Sequence, residues 1–138
     1  MIFMMNTPLL LISFLKRAER YFPQKEIISR TAPDVIHQFT YGEYAKRTRK
    51  LASALSELGM TKGTKVGTFA WNTHRHLEAY FAIPCSGAIL HTINIRLAPE
   101  HIVYIVNHAE DEILLIDESL FPLVEPALAL LKTVKHVI

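Results

Sequence analysis

The 138-residue chain holds one cysteine, five glycines and one tryptophan, and neither sign of charge dominates it. Cys85 has no partner within the chain, so no internal disulfide staples the fold, and the reduced cytoplasm is the expected setting. Fifteen basic residues against thirteen acidic ones leave a net charge of +2, too little for the field by which nucleic-acid binders hold phosphate backbones. No stretch reaches the ~20 apolar residues of a membrane span, because Asn6, Ser13 and the Lys16-Arg17 pair interrupt the one candidate. That N-terminal stretch, Met1 to Leu15, also lacks the pattern of a signal peptide. No Lys or Arg precedes it and no small-residue cleavage site follows, while Met4 and Met5 offer alternative starts. Internal repeats, low-complexity tracts and flexible linkers are absent from the sequence.

Half of the residues are hydrophobic and 20% are charged, against about 25% charged in ordinary globular chains. Mean hydropathy is +0.19. Such a chain folds, and its length sits near the soft prior of roughly 150 residues for one domain, so it is one domain or a piece of one. Its apolar content is generous for either.

Hydrophobic spacing lays out the elements. Thr7-Pro8 reads as an N-cap and a first-turn proline, with Leu11, Phe14 or Leu15, Ala18 and Phe22 at helical spacing up to Pro23. The runs Ile27–Arg30 and Ile36–Phe39 flank Thr31-Ala32-Pro33-Asp34 and predict a β-hairpin. Thr40-Tyr41-Gly42-Glu43 has the spacing of a capping box, opening a helix that runs to Leu58 with Gly59 as its left-handed stop. Its predicted inward stripe is Tyr41, Tyr44 or Ala45, Thr48, Leu51 or Ala52, Leu55 and Leu58. Beyond it the pattern is strand 65–70, helix 74–85, strand 88–92, helix 99–109, strand 113–116, a helix over 118–132 that Pro122 and Pro126 threaten to split, and a strand 134–138. The strands are short apolar runs rather than alternating ones, as in a parallel sheet covered on both faces. The fold expected is α/β: a partial doubly wound, mainly parallel sheet with helices on both faces, preceded by an N-terminal helix and β-hairpin, with no internal boundary over 1–138. Because Lys135–Ile138 closes on an apolar strand, whereas chain ends are usually exposed, the chain is expected to continue as part of a larger domain.

Residues that could carry chemistry each have a plainer reading. Gly59-x3-Gly63-x3-Gly67 fits neither phosphate-loop pattern, with Thr64 where a P-loop lysine belongs. Of the seven histidines, no two stand four apart as helical metal ligands do; His74 and His76 should point to different faces, and His108 suits a helix C-terminus. Cys85 has no cation or helix N-terminus to lower its pKa, and Ser86 lacks the nucleophile-elbow frame. Lys46-Arg47-Thr48-Arg49-Lys50 reads as a solvated helix face, with Glu43 placed to pair with Arg47, and Glu110-Asp111-Glu112 reads as a solvated loop. Metal-binding and catalytic residues are therefore not assigned.

The order of the motifs says more than any one of them. Phe39-Thr40-Tyr41-Gly42-Glu43-Tyr44, followed by Arg49-Lys50-Leu51-Ala52-Ser53-Ala54-Leu55, resembles the first core motif of the AMP-forming adenylating enzymes. Ser86-Gly87-Ala88-Ile89-Leu90-His91-Thr92-Ile93-Asn94-Ile95-Arg96-Leu97 resembles their second. His76–Ala82 and Tyr104–Asp111 are similar to the medium- and long-chain fatty acid branch of the acyl-CoA ligases, so the likeness runs from about Pro8 to Ile138. Two positions depart from it: Ile95, where many relatives have proline, and Ala98, where a Ser or Thr often caps the next helix.

The resemblance implies activation of a fatty or other carboxylic acid with Mg-ATP to an acyl-adenylate, then thioester formation with CoA. The family's phosphate loop, adenine and ribose contacts, hinge and catalytic lysine have no counterpart among these residues, so the chain is expected to supply scaffold, to hold no cofactor itself and to be inactive alone. The nearest cofactor-binding candidates are Asn72 and Asn94, near the C-terminal ends of strands where ligands of open α/β sheets gather. Exposed strand edges make homo-oligomerisation a further expectation. The alternative reading is a stand-alone α/β ligand-binding or protein-interaction module, with the basic helix as its best feature.

Overall fold

A computed structural model describes residues 8–138. Thr7, Met4, Met5 and the first seven residues of the apolar stretch weighed above as a signal peptide lie outside the described residues. Helix α1 spans Ile12–Tyr21 rather than starting at Pro8. Pro8 to Leu11 forms a turn, Leu11 already has helical dihedrals, and no side chain caps the start. Leu15 is buried, while Phe14 and Phe22 face solvent. Strands β1 (Glu26–Ala32) and β2 (Val35–Thr40) pair antiparallel as the hairpin, with Ile27 opposite Phe39 and a register shift near the turn.

Helix α2 (Tyr41–Glu57) opens with the full capping box: the Glu43 backbone N–H donates to the Thr40 hydroxyl, and the Thr40 backbone N–H donates to the Glu43 carboxylate at 2.8 Å. Two orphan donors are thereby satisfied reciprocally. Its buried face is Tyr44, Ala45, Thr48 and Leu55, and Gly59 leaves the helix at φ +96°. Then follow β3 (Lys65–Phe69), α3 (His74–Cys85), β4 (Ile89–Thr92), α4 (Pro99–Ala109), β5 (Ile113–Ile116), the short α5 (Phe121–Val124) and β6 (His136–Val137).

The predicted helix over 118–132 is broken into 3₁₀ turns at Glu118–Leu120 and Glu125–Leu130 on either side of α5. Each proline lies in the first turn of a new piece, where its missing N–H costs nothing. Strand β6 is two residues long, shorter than the run 134–138 expected of it.

The sheet order is β4-β3-β5-β6, all parallel. From β3 the chain crosses to β4 on one side, then returns past β3 to β5 and β6 on the other. Right-handed crossovers in opposite directions put their helices on opposite faces. Val66 and Ile113 accordingly pack with Leu55 of α2 and Ala79 and Ile83 of α3, whereas Phe69 and Leu114 pack with Ile102 and Val106 of α4 and with Leu120 and Val124. A third cluster, Leu15, Phe39, Tyr44 and Ala45, fastens α1 and the hairpin to α2. The fold is thus the α/β arrangement expected, a parallel sheet covered on both faces behind an N-terminal helix and hairpin.

Candidate functional site

Because the winding direction reverses after β4, the C-terminal ends of β3 and β5 flank a crevice, the place where open α/β sheets gather their ligands. A cleft of about 340 Å³ opens there on the side of α2 and α3. Thr68 comes from β3 and Ala70 from just after it, Arg75, His76 and Glu78 from α3, Arg47 from α2, and Ile116 and Asp117 from the end of β5.

Several of its polar groups are tied to one another. Arg47 Nε lies 2.6 Å and Nη2 3.3 Å from the two carboxylate oxygens of Glu78, whose residue surface is 5% exposed. The fork fixes both side chains, and the hydrogen bond to Glu78 raises the Arg47 pKa further. The Thr68 hydroxyl meets His76 Nε2 at 3.1 Å and the His91 carbonyl at 3.4 Å. With its one proton on the carbonyl, the hydroxyl accepts from His76 Nε2–H, leaving Nδ1 a buried lone pair without a partner among the described residues. Burial holds His76 below the ordinary imidazole range, so it is neutral near pH 7. At the mouth, the Trp71 indole donates to Ser119 Oγ at 3.0 Å, and Ser119 Oγ donates to Asp117 at 2.9 Å, which joins the exits of β3 and β5. Two cations line the cleft, Arg47, which is engaged by Glu78, and Arg75.

Asn72 and Asn94 are not brought together here. Asn72 lies on the loop before α3 and lines a different cleft, beside Ser29 and His74. Asn94 turns its side-chain oxygen to the Arg96 backbone N–H at 3.0 Å, so it supports the chain where β4 ends.

The basic stretch of α2 is corrected in part. Glu43 caps the helix instead of pairing with Arg47, Arg47 reaches Glu78, and Arg49 pairs with Glu19 of α1. The acidic loop is corrected too. Asp111 is fully buried, 2.7 Å from His91 Nδ1, while Glu110 pairs with Lys65 and Glu112 with Lys135. Burial outweighs the bond from His91 and pushes the Asp111 carboxyl up. The sequence signal for this was Asp111 standing at the threshold of the apolar run 113–116.

His74 and His76 do face opposite ways, toward the hairpin and the sheet. Cys85 is half-buried and its thiol is pushed up by desolvation, and the Ser86 hydroxyl donates to the Ala82 carbonyl at 2.7 Å.

This scaffold matches the family model described as "AMP-binding enzyme" over residues 14–138. The chain belongs to the AMP-binding enzyme family. A long-chain-fatty-acid–CoA ligase of Thermus thermophilus is 50% identical over 133 residues, covering 96% of this chain and 25% of that protein. A 3-methylmercaptopropionyl-CoA ligase of Ruegeria lacuscaerulensis is 44% identical over the same shares. A crystal structure of a long-chain-fatty-acid–CoA ligase from Archaeoglobus fulgidus superposes with a TM-score of 0.86 over 98% of this chain and 28% of its own, at 22% identity, which speaks to the fold. The chain thus spans about a quarter of the length of these family members. It aligns with them along nearly its whole extent, which does not favour a stand-alone module of its own class. Of the four cations in the basic stretch offered for that alternative, Arg47 and Arg49 are held by Glu78 and Glu19.

Proposed function

We propose that residues 1–138 are the N-terminal part of the large domain of an AMP-forming fatty acid–CoA ligase, and that they contribute scaffold without turning over alone. The complete enzyme activates a fatty acid with Mg-ATP and passes the acyl group to CoA. The observation that carries the reading is the work done by the family-like motifs within this chain. Thr40 and Glu43 cap α2, Gly87 turns α3 into β4, and Asn94 holds the backbone after β4. Each secures an element around the cleft and none presents a reactive group to it. A lone half-buried thiol suits a reduced cytoplasm.

Acid-dependent ATP–pyrophosphate exchange by the purified chain should be absent, and clear exchange would overturn the scaffold clause. A chimera joining Ile138 to the remaining three quarters of the Thermus ligase should regain exchange with a fatty acid. A soluble, cooperatively folded chimera without exchange would count against the ligase reading.

A further inference from the structure

Away from the cleft, the hairpin meets the first turn of α3 through an arrangement with no part in the proposed catalysis. The imidazoles of His37 on β2 and His74 on α3 stack with centroids 4.0 Å apart and an interplanar angle of 26°. His74 is 6% exposed, and His37 Nε2 and His74 Nδ1 are both buried without a hydrogen-bond partner among the described residues. Phe39 closes one side, 5.0 Å from His37 and 5.6 Å from His74. Beside the stack, the His74 backbone N–H donates to Ser29 Oγ of β1 at 2.9 Å, so the hairpin also satisfies one of the orphan donors of α3.

We propose that the His37–His74 stack is an acid-sensitive latch that holds the β1–β2 hairpin on the N-terminus of α3 and releases it when His74 takes up a proton. An imidazolium at His74 would sit out of water, its ring 4.0 Å from that of His37 and at the positive end of a helix dipole. The other charged groups around the pair do little to relieve this. Arg75 on α3 and Arg47 on α2 oppose protonation, Glu78 favours it but is engaged by Arg47, and Arg30 of β1 lines the same cleft as His74. Glu43 of α2 lies within reach of His37 but serves the capping box, and Glu19 of α1 is engaged by Arg49. The Tyr44 hydroxyl donates to the Leu77 carbonyl, and His76 faces the sheet.

Burial, then His37, holds the His74 imidazole below its ordinary 6.5. The native state therefore binds the proton less readily than the open one. Docking is at full strength above about pH 6.5 and weakens as pH falls below it.

Amide hydrogen exchange, corrected for the intrinsic pH dependence, tests this. Between about pH 8 and about pH 5 the hairpin amides of Ile27 and Phe39, which face each other across the ladder, should lose protection about tenfold relative to Leu114 and Leu115 of the central sheet. In the H37F/H74F protein, which keeps an aromatic stack without the charge, the loss should be less than about twofold. Unchanged hairpin protection in the wild type, or an equal loss in the variant, would overturn the latch. Ring NMR of wild-type His74 decides independently of whether the variant folds. A ring that stays neutral until the hairpin opens supports the proposal, and one that charges near pH 6.5 with the hairpin closed refutes it.

Discussion

Glu78 lies inside the molecule with Arg47, 31 residues earlier, closed on both of its oxygens. The two partners are unequal, since the Glu78 side chain is 7% exposed and that of Arg47 is 47%. Removing the arginine strands a buried carboxylate, while neutralising the glutamate leaves a cation that water can reach. Arg47→Ala should therefore cost about 2 kcal/mol in urea unfolding, and Glu78→Gln less than about 1 kcal/mol. Gly67 is constrained by space. A Cβ there would lie 2.9 Å from Leu114 Cδ1, 3.0 Å from Asp111 Oδ2 and 3.2 Å from Ile93 Cδ1. Gly67→Ala should lower the unfolding free energy by about 1–3 kcal/mol without loss of secondary structure by circular dichroism, and a neutral result would mean that the Asp111 loop yields freely. These pairings were not legible in the sequence. An Arg–Glu fork 31 residues apart and an aspartate 20 residues from its histidine leave no local pattern, and counting charges on a helix face assigned Arg47 the wrong partner.

At the scale of elements, local rules carry much further. The α2 boundaries follow from Thr40, Glu43 and Gly59, and those of α3, α4 and β5 from apolar spacing with Pro99 at a first turn. Thr40→Ala should destabilise the protein by about 1 kcal/mol, and Thr40→Ser should restore most of that loss in the same urea titration. Full stability of the alanine protein would show that tertiary contacts alone hold the start of α2. Local reading failed where two local rules competed. Apolar periodicity over 118–132 favours one helix, but Pro122 and Pro126 remove the bonds it needs, and the chain settles as three short turns. Likewise α1 begins at Ile12, with no side chain to mark its start.

For the molecule as a whole, the alternation of short apolar strands with helices was enough to specify a parallel sheet covered on both faces, because strands without a polar side can only be buried twice. The family-like motifs in order were likewise readable along one chain, and they specify caps and turns. The sequence by itself therefore determined most of the element boundaries, the fold class and the family, all of which rest on interactions between near neighbours or on the order of segments. Tertiary structure alone decided the pairings across the fold: β5 beside β3, Arg47 on Glu78, Asp111 under His91, and His37 against His74. The reason is physical. A cap or a helical stripe is fixed by spacing along the backbone, whereas the partner of a buried charge or imidazole depends on which distant segments the crossovers bring within a few ångströms.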